Sequence, residues 1–387
     1  MTTVVSTRPA APASAADQRA DRPPRPERRA GLLLTAPFFV IYLLFLVGPL
    51  LVGVVLSFFN ATTVKSGLGD WVGLSNYREV VTDPLFWDAL WHSVLFTLLT
   101  TPPLVVLALV AAVLASRVRR GRLFYRLAFF APYVVPSSVV ALIFLWMYTP
   151  EIGLIPKVFG AVGLPVPDFI GSTSGGWTAV TLMTLWWTFG FNFVLYTAAI
   201  QDVPPDVYEA AAIDGASPWQ QIRHITVPLL GRTTSLVLIL QILASLKVFD
   251  QIYLLLAGGP NQSTRPVIEY IYDTGFTSYR GGYGAAATMV YFVIIVAISA
   301  AWYGLRRRRA AGAAPERSTH DHHDPVTPPR PTRRGTRPRS TARSSSTGCA
   351  PLCLTLFALI WLVPFLWALA TSLRRTGRSP RTRRRVR

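Results

Sequence analysis

The ionisable and amide side chains in this sequence that could do chemistry are few, and most lie inside long apolar blocks. Lys247 and Asp250 stand three residues apart, a spacing that sets them on one face of a helix where they can neutralise each other. Gln241 and Ser245, four apart, continue that face. Trp186, Trp187 and Asn192 place two indoles and an amide in another block, the combination that stacks on and hydrogen-bonds a sugar ring. Helix packing accounts for the same residues. A charge at the centre of an apolar span costs about 2.5–3.5 kcal/mol, so Lys247 and Asp250 either pair near one end of the span or line a polar path. Together these side chains are the candidate solute path. No catalytic constellation stands out. The run His320, Asp321, His322, His323 sits in a polar tract and reads as linker more readily than as a metal site. The lysines are Lys65, Lys157 and Lys247, none preceded by glycine, so the chain carries no Gly-Lys-Ser/Thr phosphate loop.

The elements that must position these residues are membrane helices. Apolar residues make up 51% of the chain and are gathered into blocks at 32–59, 90–116, 123–148, 177–200, 233–257 and 284–305, with another at 350–370. Each reaches the roughly 20 residues that a helix needs to cross a bilayer. Arginines flank alternate ends: Arg22, Arg25, Arg28 and Arg29; then Arg117, Arg119, Arg120, Arg122 and Arg126; then Arg306 to Arg309. The positive-inside bias puts both ends of a six-span body, 31–305, in the cytoplasm. Ser137 and Ser138, after Pro136, read as hydroxyls that satisfy backbone groups freed by a kink in the third span.

The net charge of +19 belongs to the tail: 19 basic against 16 acidic residues up to Leu305, then 19 against 3. That distribution favours a solvated charge run over a nucleic-acid site. Residues 1–30 read as a disordered cytoplasmic leader and 306–349 as a disordered basic linker. Segment 350–387 is an apolar block with Cys349 and Cys353 at its mouth and an Arg-dense end. Alternation would send that end outside, against the positive-inside bias.

Loop 201–231 is unlike the rest. Asp206 reads as an N-cap with Glu209 closing a capping box, Ala210 and Ala211 favour helix, and Gly215 after Asp214 supplies a left-handed stop before Ala216. Ser217, Pro218 and Gln220 start a second short helix that carries Ile222 and stops at Pro228. Helices this short are marginal alone. Either they pack on the protein's own spans, or they present a small apolar face with Trp219 to a partner's groove.

The run EAAAIDGA followed by IRHITVPLL resembles the EAA loop of permease subunits in binding-protein-dependent ATP-binding-cassette importers, matched at Glu209, Ala210, Ala211, Gly215 and Pro228, with Ile222 where an aromatic is frequent. Residues 72–98 resemble the entry to the second span of the carbohydrate-type branch, with His92 in place of a usual Asn. Residues 249–276 resemble its fifth span and following loop, with Leu256 where Thr is common. The resemblance covers 31–305. It implies an all-α polytopic fold of the six-span type I importer class, both ends cytoplasmic, in a bacterial plasma membrane, with 350–387 an atypical seventh segment. It also implies that Asp206, Glu209, Ala210, Ala211, Asp214, Gly215, Ala216, Ile222 and Pro228 dock on a separate ATPase. No cofactor is expected on this chain; ATP and magnesium belong to the partner. The other implied partners are a second permease subunit, an extracytoplasmic solute-binding protein and a sugar substrate, with no nucleic acid. Residues 352–374 resemble the opening of the companion permease, as a fusion or frameshift would leave. The rival readings are an ion-coupled secondary transporter using Lys247 and Asp250, and a membrane anchor with a basic recruiting tail.

Overall fold

The computed structural model describes residues 25–64, 67–118, 121–312 and 349–375. The His run, most of the leader and linker, and the Arg-dense end beyond Arg375 lie outside the described residues. Among the described residues the fold is helical, with one isolated bridge between Phe59 and Trp71.

The first span is α1 (Arg25–Tyr42) and α2 (Gly48–Leu56), joined by a π turn at Leu43–Val47. The π turn sits just before Pro49, whose missing N–H breaks the ordinary ladder there. A short helix, α3 (Ser75–Thr82), leads to Asp83, which caps α4 (Pro84–Ser116) by accepting the Leu85 N–H at 2.9 Å. Next come α5 (Arg122–Val134) and α6 (Ser137–Tyr148), bent by 96° at Val135 and Pro136. Val135 is extended (φ −74, ψ 135), the conformation that a following proline favours. After α7 (Leu154–Val162), Ser172 caps the long α8 (Thr173–Gln201). The loop region holds α9 (Pro205–Ile213), α10 (Pro218–Gln221), a π turn at Ile222–Thr226 and α11 (Val227–Leu229). A 61° bend leads into α12 (Gly231–Leu246), then α13 (Asp250–Leu256), α14 (Val267–Tyr272), α15 (Gly281–Gly312) and α16 (Cys349–Arg375).

Five helices are long and apolar enough to span, at Leu33–Leu56, Pro84–Ser116, Thr173–Gln201, Gly281–Arg306 and Pro351–Leu373, or seven spans if the two bent pairs count as one each. The expected continuous helix over 233–257 is corrected: it breaks between Leu246 and Asp250. The kink at Pro136 is present, but the Ser137 hydroxyl acts otherwise than expected. Ser137 Oγ donates to Asp250 Oδ2 at 2.9 Å, and the freed Val135 carbonyl is met by the Trp187 indole N–H at 3.0 Å.

Lipid tails are as apolar as leucine, so helix association in the membrane rests on close packing instead of expulsion from water. The main core obeys that rule. Ala108, Ala111, Ala112 and Ala115 form a buried small-residue stripe on α4, where α4 lies along α8. Gly190 on α8 touches the α5 backbone so closely that a Cβ would overlap the Phe129 carbonyl. Around that contact Phe129, Phe189 and Phe193 are fully buried, with Phe129 edge to face on both of the others. A second cluster ties α3, α4, α14 and α15 through Val80, Phe86, Tyr270 and Tyr283. Gly190→Ala should force α5 away from α8 and lower stability by about 1–3 kcal/mol. A melting temperature in detergent equal to the parent's would refute that reading of the contact.

Candidate functional site

The loop helices are fixed by their termini. In α9 the Ala216 N–H bonds the Ala211 carbonyl at 2.9 Å and the Gly215 N–H bonds Ala212 at 3.2 Å, with Gly215 at φ +82 and Asp214 as C-cap. That is a Schellman closure, and only glycine adopts its left-handed residue cheaply. Ser217 then opens α10 with a complete capping box: its Oγ accepts the Gln220 N–H at 3.3 Å, and its own N–H donates to Gln220 Oε1 at 2.7 Å. Two expectations need correction. Asp206 is not the N-cap: Pro205 takes the first helical position, so Asp206 lies inside the first turn, and the cap, Pro204, has no N–H for Glu209 to receive. Nor does Pro228 end the second helix. The π turn at Ile222–Thr226 absorbs the missing hydrogen bond, and the helix runs on to Leu229.

Neither α9 nor α10 buries a residue. Ile213 is 87% exposed and Trp219 69%, a pair of large apolar side chains at the outer edge of the loop. The loop is nevertheless tied to the spans. The Arg117 guanidinium, at the end of α4, donates to the Pro218 carbonyl at 2.9 Å, while within the loop Tyr208 on α9 meets the buried Thr226 hydroxyl of the π turn at 3.1 Å and holds its two halves together. Between loop and spans lies a cavity of about 880 Å³ lined by Arg117, Arg122, Arg126, Gln201, Tyr208 and the half-buried Ile222, among others. Sequence reasoning missed Arg117 and Tyr208, which look like ordinary boundary and helix-surface residues.

The path candidates divide. Asn192 Nδ2 donates to Gln241 Oε1 at 3.1 Å, and Gln241 Nε2 donates to Ser245 Oγ at 3.3 Å. Ser245 meets Thr100 of α4 at 3.1 Å, a residue not anticipated. This buried polar string crosses α8, α12 and α4. A separate polar contact joins α8 to α13, where Thr184 donates to Gln251 Oε1 at 2.8 Å. Trp186 and Trp187 are committed elsewhere: Trp186 donates to the Trp361 carbonyl at 2.7 Å and Trp187 to Val135. Lys247 and Asp250 do not pair. The helix breaks between them, both are exposed, and the ion pairs among the described residues are Arg265 with Asp273 and Arg280 with Glu79. The ion-coupled reading thus finds no support in this arrangement. Among the described residues no cluster of His, Cys, Asp and Glu could hold a metal.

Residues 104–311 match the model of a family described as the binding-protein-dependent transport system inner membrane component. The chain belongs to that family. Among curated relatives, it is 30% identical over 276 residues to the sulfoquinovosyl glycerol transport system permease protein SmoG of Agrobacterium fabrum, covering 71% of this chain and 90% of that one. It is 33% identical over 264 residues to the probable ABC transporter permease protein YurN of Bacillus subtilis, covering 67% and 90%. The multiple sugar-binding transport system permease protein MsmF of Streptococcus mutans is 31% identical, covering 67% and 89%. Among solved structures, a chain of a bacterial alginate ABC transporter, in complex with an alginate pentasaccharide-bound periplasmic protein, superposes with a TM-score of 0.64 at 23% identity, covering 73% and 96%. The permease is therefore a multi-pass membrane component of an ATP-driven importer, and a transport subunit instead of an enzyme.

At the end of the permease opposite the loop, Glu269 of α14 is buried, and its Oε2 has no hydrogen-bond partner. Burial and the neighbouring Asp273 push its carboxyl up to about 7, against the opposing pull of Arg265. The unfolded carboxyl, near 4.5, binds fewer protons than the folded one. Its contribution is thus full below about pH 4.5 and is lost as pH rises through 7. Glu269→Gln should flatten the decline in melting temperature across that window; an unchanged slope would remove Glu269 as its cause. At the loop, Ser217→Ala should cost about 1 kcal/mol of local stability. The measure is faster amide exchange at Gln220, with exchange in α8 unchanged.

Proposed function

We propose that this permease carries a sugar or related polar solute into a bacterial cell. An extracytoplasmic binding protein delivers the solute, and loop 201–231 couples the spans to separate ATPase subunits. The observation that carries the reading is the loop: two closed, capped helices with no buried residue, presenting Ile213 and Trp219 outward, braced to each other through Tyr208 and Thr226 and bound to the end of α4 through Arg117. A stiff element with an apolar face and a fixed root transmits movement, where a slack loop would absorb it. Both ends of the six-span body then face the cytoplasm, in line with the arginine distribution. A second permease chain completes the pathway. The sugar class follows from relatives named for sulfoquinovosyl glycerol, multiple sugars and arabinooligosaccharides. The Asn192, Gln241, Ser245 and Thr100 string supplies amides and hydroxyls of the kind a sugar requires.

Replacing Glu209 with Lys, or Gly215 with Val, should release the ATPase from the purified complex and reduce binding-protein-dependent uptake at least tenfold, while the chain still inserts. Uptake should stop on ATP depletion even with the ion gradients held. Uptake that persists under depletion, or variants that keep both ATPase and transport, would defeat the reading.

A further inference from the structure

The cavity at the root of the loop carries a charge that coupling leaves unused. Three arginines line it: Arg117 at the end of α4, and Arg122 and Arg126 on α5. Arg122 and Arg126 are four apart, so they share one helix face. The Arg122 guanidinium folds back onto the end of α4. It donates from Nε to the Val118 carbonyl at 2.7 Å and from Nη2 to the Ser116 carbonyl at 3.0 Å, which draws it to the residue before Arg117. Arg117 itself donates to Pro218. No hydrogen bond or ion pair joins Arg126 to the other described residues. Nor does a carboxylate answer these charges: among the described residues no Asp or Glu lines the cavity, and the ion pairs are those of Arg265 with Asp273 and Arg280 with Glu79.

Like charges gathered around one cavity repel, and a counter-charge relieves them. The bias toward arginine on the cytoplasmic side accounts for their number but not for their convergence. They leave guanidinium donors unspent, in the planar fork that matches two oxygens of a phosphate. The rest of the wall is largely apolar, with Val113, Leu123, Ile200, Val203 and Ile222. Leu123 is exposed as well as lining the cavity, and Leu127, one turn along α5, is exposed too. The cavity thus continues onto an apolar helix surface of the kind that acyl chains cover. A soluble phosphate needs only the arginines; the apolar wall and its continuation fit a phosphate that carries hydrocarbon. A zwitterionic headgroup would bring its own cation among the arginines, so a net negative lipid is the complement. We propose that the cavity holds the headgroup phosphate of an anionic phospholipid from the cytoplasmic leaflet, with Arg122 and Arg126 on the phosphate and Leu123 and Leu127 against the acyl chain. Arg117, on the same cavity, is the loop's tie to α4, so lipid and loop share one root. The choice of leaflet rests on the cytoplasmic placement of the loop proposed above; the phosphate site does not.

The test titrates the full chain, purified in a mild detergent where sidedness plays no part, with phosphatidylglycerol and reads the first lipid bound by native mass spectrometry. Phosphatidylglycerol should bind about tenfold more tightly than phosphatidylcholine. Arg126→Gln, which breaks no bond among the described residues, should weaken it about fivefold, and adding Arg122→Gln should weaken it further. Arg126→Lys, which keeps the charge and loses the fork, should fall between Arg126→Gln and the parent, separating charge from folding. Arg306→Gln removes the same charge at the far end of α15 and should leave binding within about twofold of the parent. Millimolar inorganic phosphate should not displace the lipid. Equal binding of the two lipids, equal weakening by Arg306→Gln, or displacement by inorganic phosphate, which marks a site for a soluble anion, each overturns the proposal. The leaflet is tested separately, with Cys349 and Cys353 replaced by Ser: Trp219→Cys in the loop should react with a membrane-impermeant maleimide in sealed inside-out vesicles. Reaction only from the opposite side would overturn the placement of the loop and the leaflet with it, while the binding in detergent stands or falls on its own.

Discussion

Every backbone N–H and C=O inside hydrocarbon needs a partner, and this permease breaks its helices repeatedly where water is scarce. The breaks are stitched by side chains from other helices. Trp187 of α8 closes the Val135 carbonyl at the α5/α6 bend, and Tyr291 of α15 donates to the Leu246 carbonyl where α12 ends. Ser137 joins the two breaks by donating to Asp250 at the start of α13. At the end of α2, Asn76 donates to the carbonyls of Ser57 and Phe59. Because each repair comes from another segment, the breaks fix the relative positions of helices as firmly as the apolar packing does.

Much of this was legible in the sequence, because the signals were local. The apolar blocks located the membrane segments, Gly215 announced a left-handed residue, and Ser217 with Gln220 spelled out a capping box that formed as written. Where local signals competed, the reading slipped. Pro204 and Pro205 both qualify as the start of α9; the second took the first helical position and displaced Asp206 from the cap. Lys247 and Asp250 have the spacing of a helical pair only if the helix continues between them. Leu246 ends it, and nothing in the neighbouring residues says so.

The solute-path residues show the other limit. Asn192, Gln241 and Ser245 were singled out because amides and hydroxyls are conspicuous in apolar blocks, and they do meet. Thr100 completes their string from a helix far away in sequence, and no period in α4 distinguishes it from its neighbours Thr97 and Thr101. Trp186 and Trp187 were conspicuous for the same reason, yet their indoles serve backbone carbonyls. Composition identifies which side chains are unusual; only tertiary structure says whether a given one faces a solute or mends a helix.

The 61° elbow between α11 and α12 has a mechanical corollary. In the coupling proposed above, a thrust on the loop would reach α12 across a corner, so part of it would become a sideways swing. At its far end α12 stops at the Leu246 break, which the Tyr291 bond to Leu246 and the Ser137 bond to Asp250 hold to other helices. The segment between elbow and break carries Gln241 and Ser245, so under that coupling the polar string would sit on the arm of a crank whose handle is the loop.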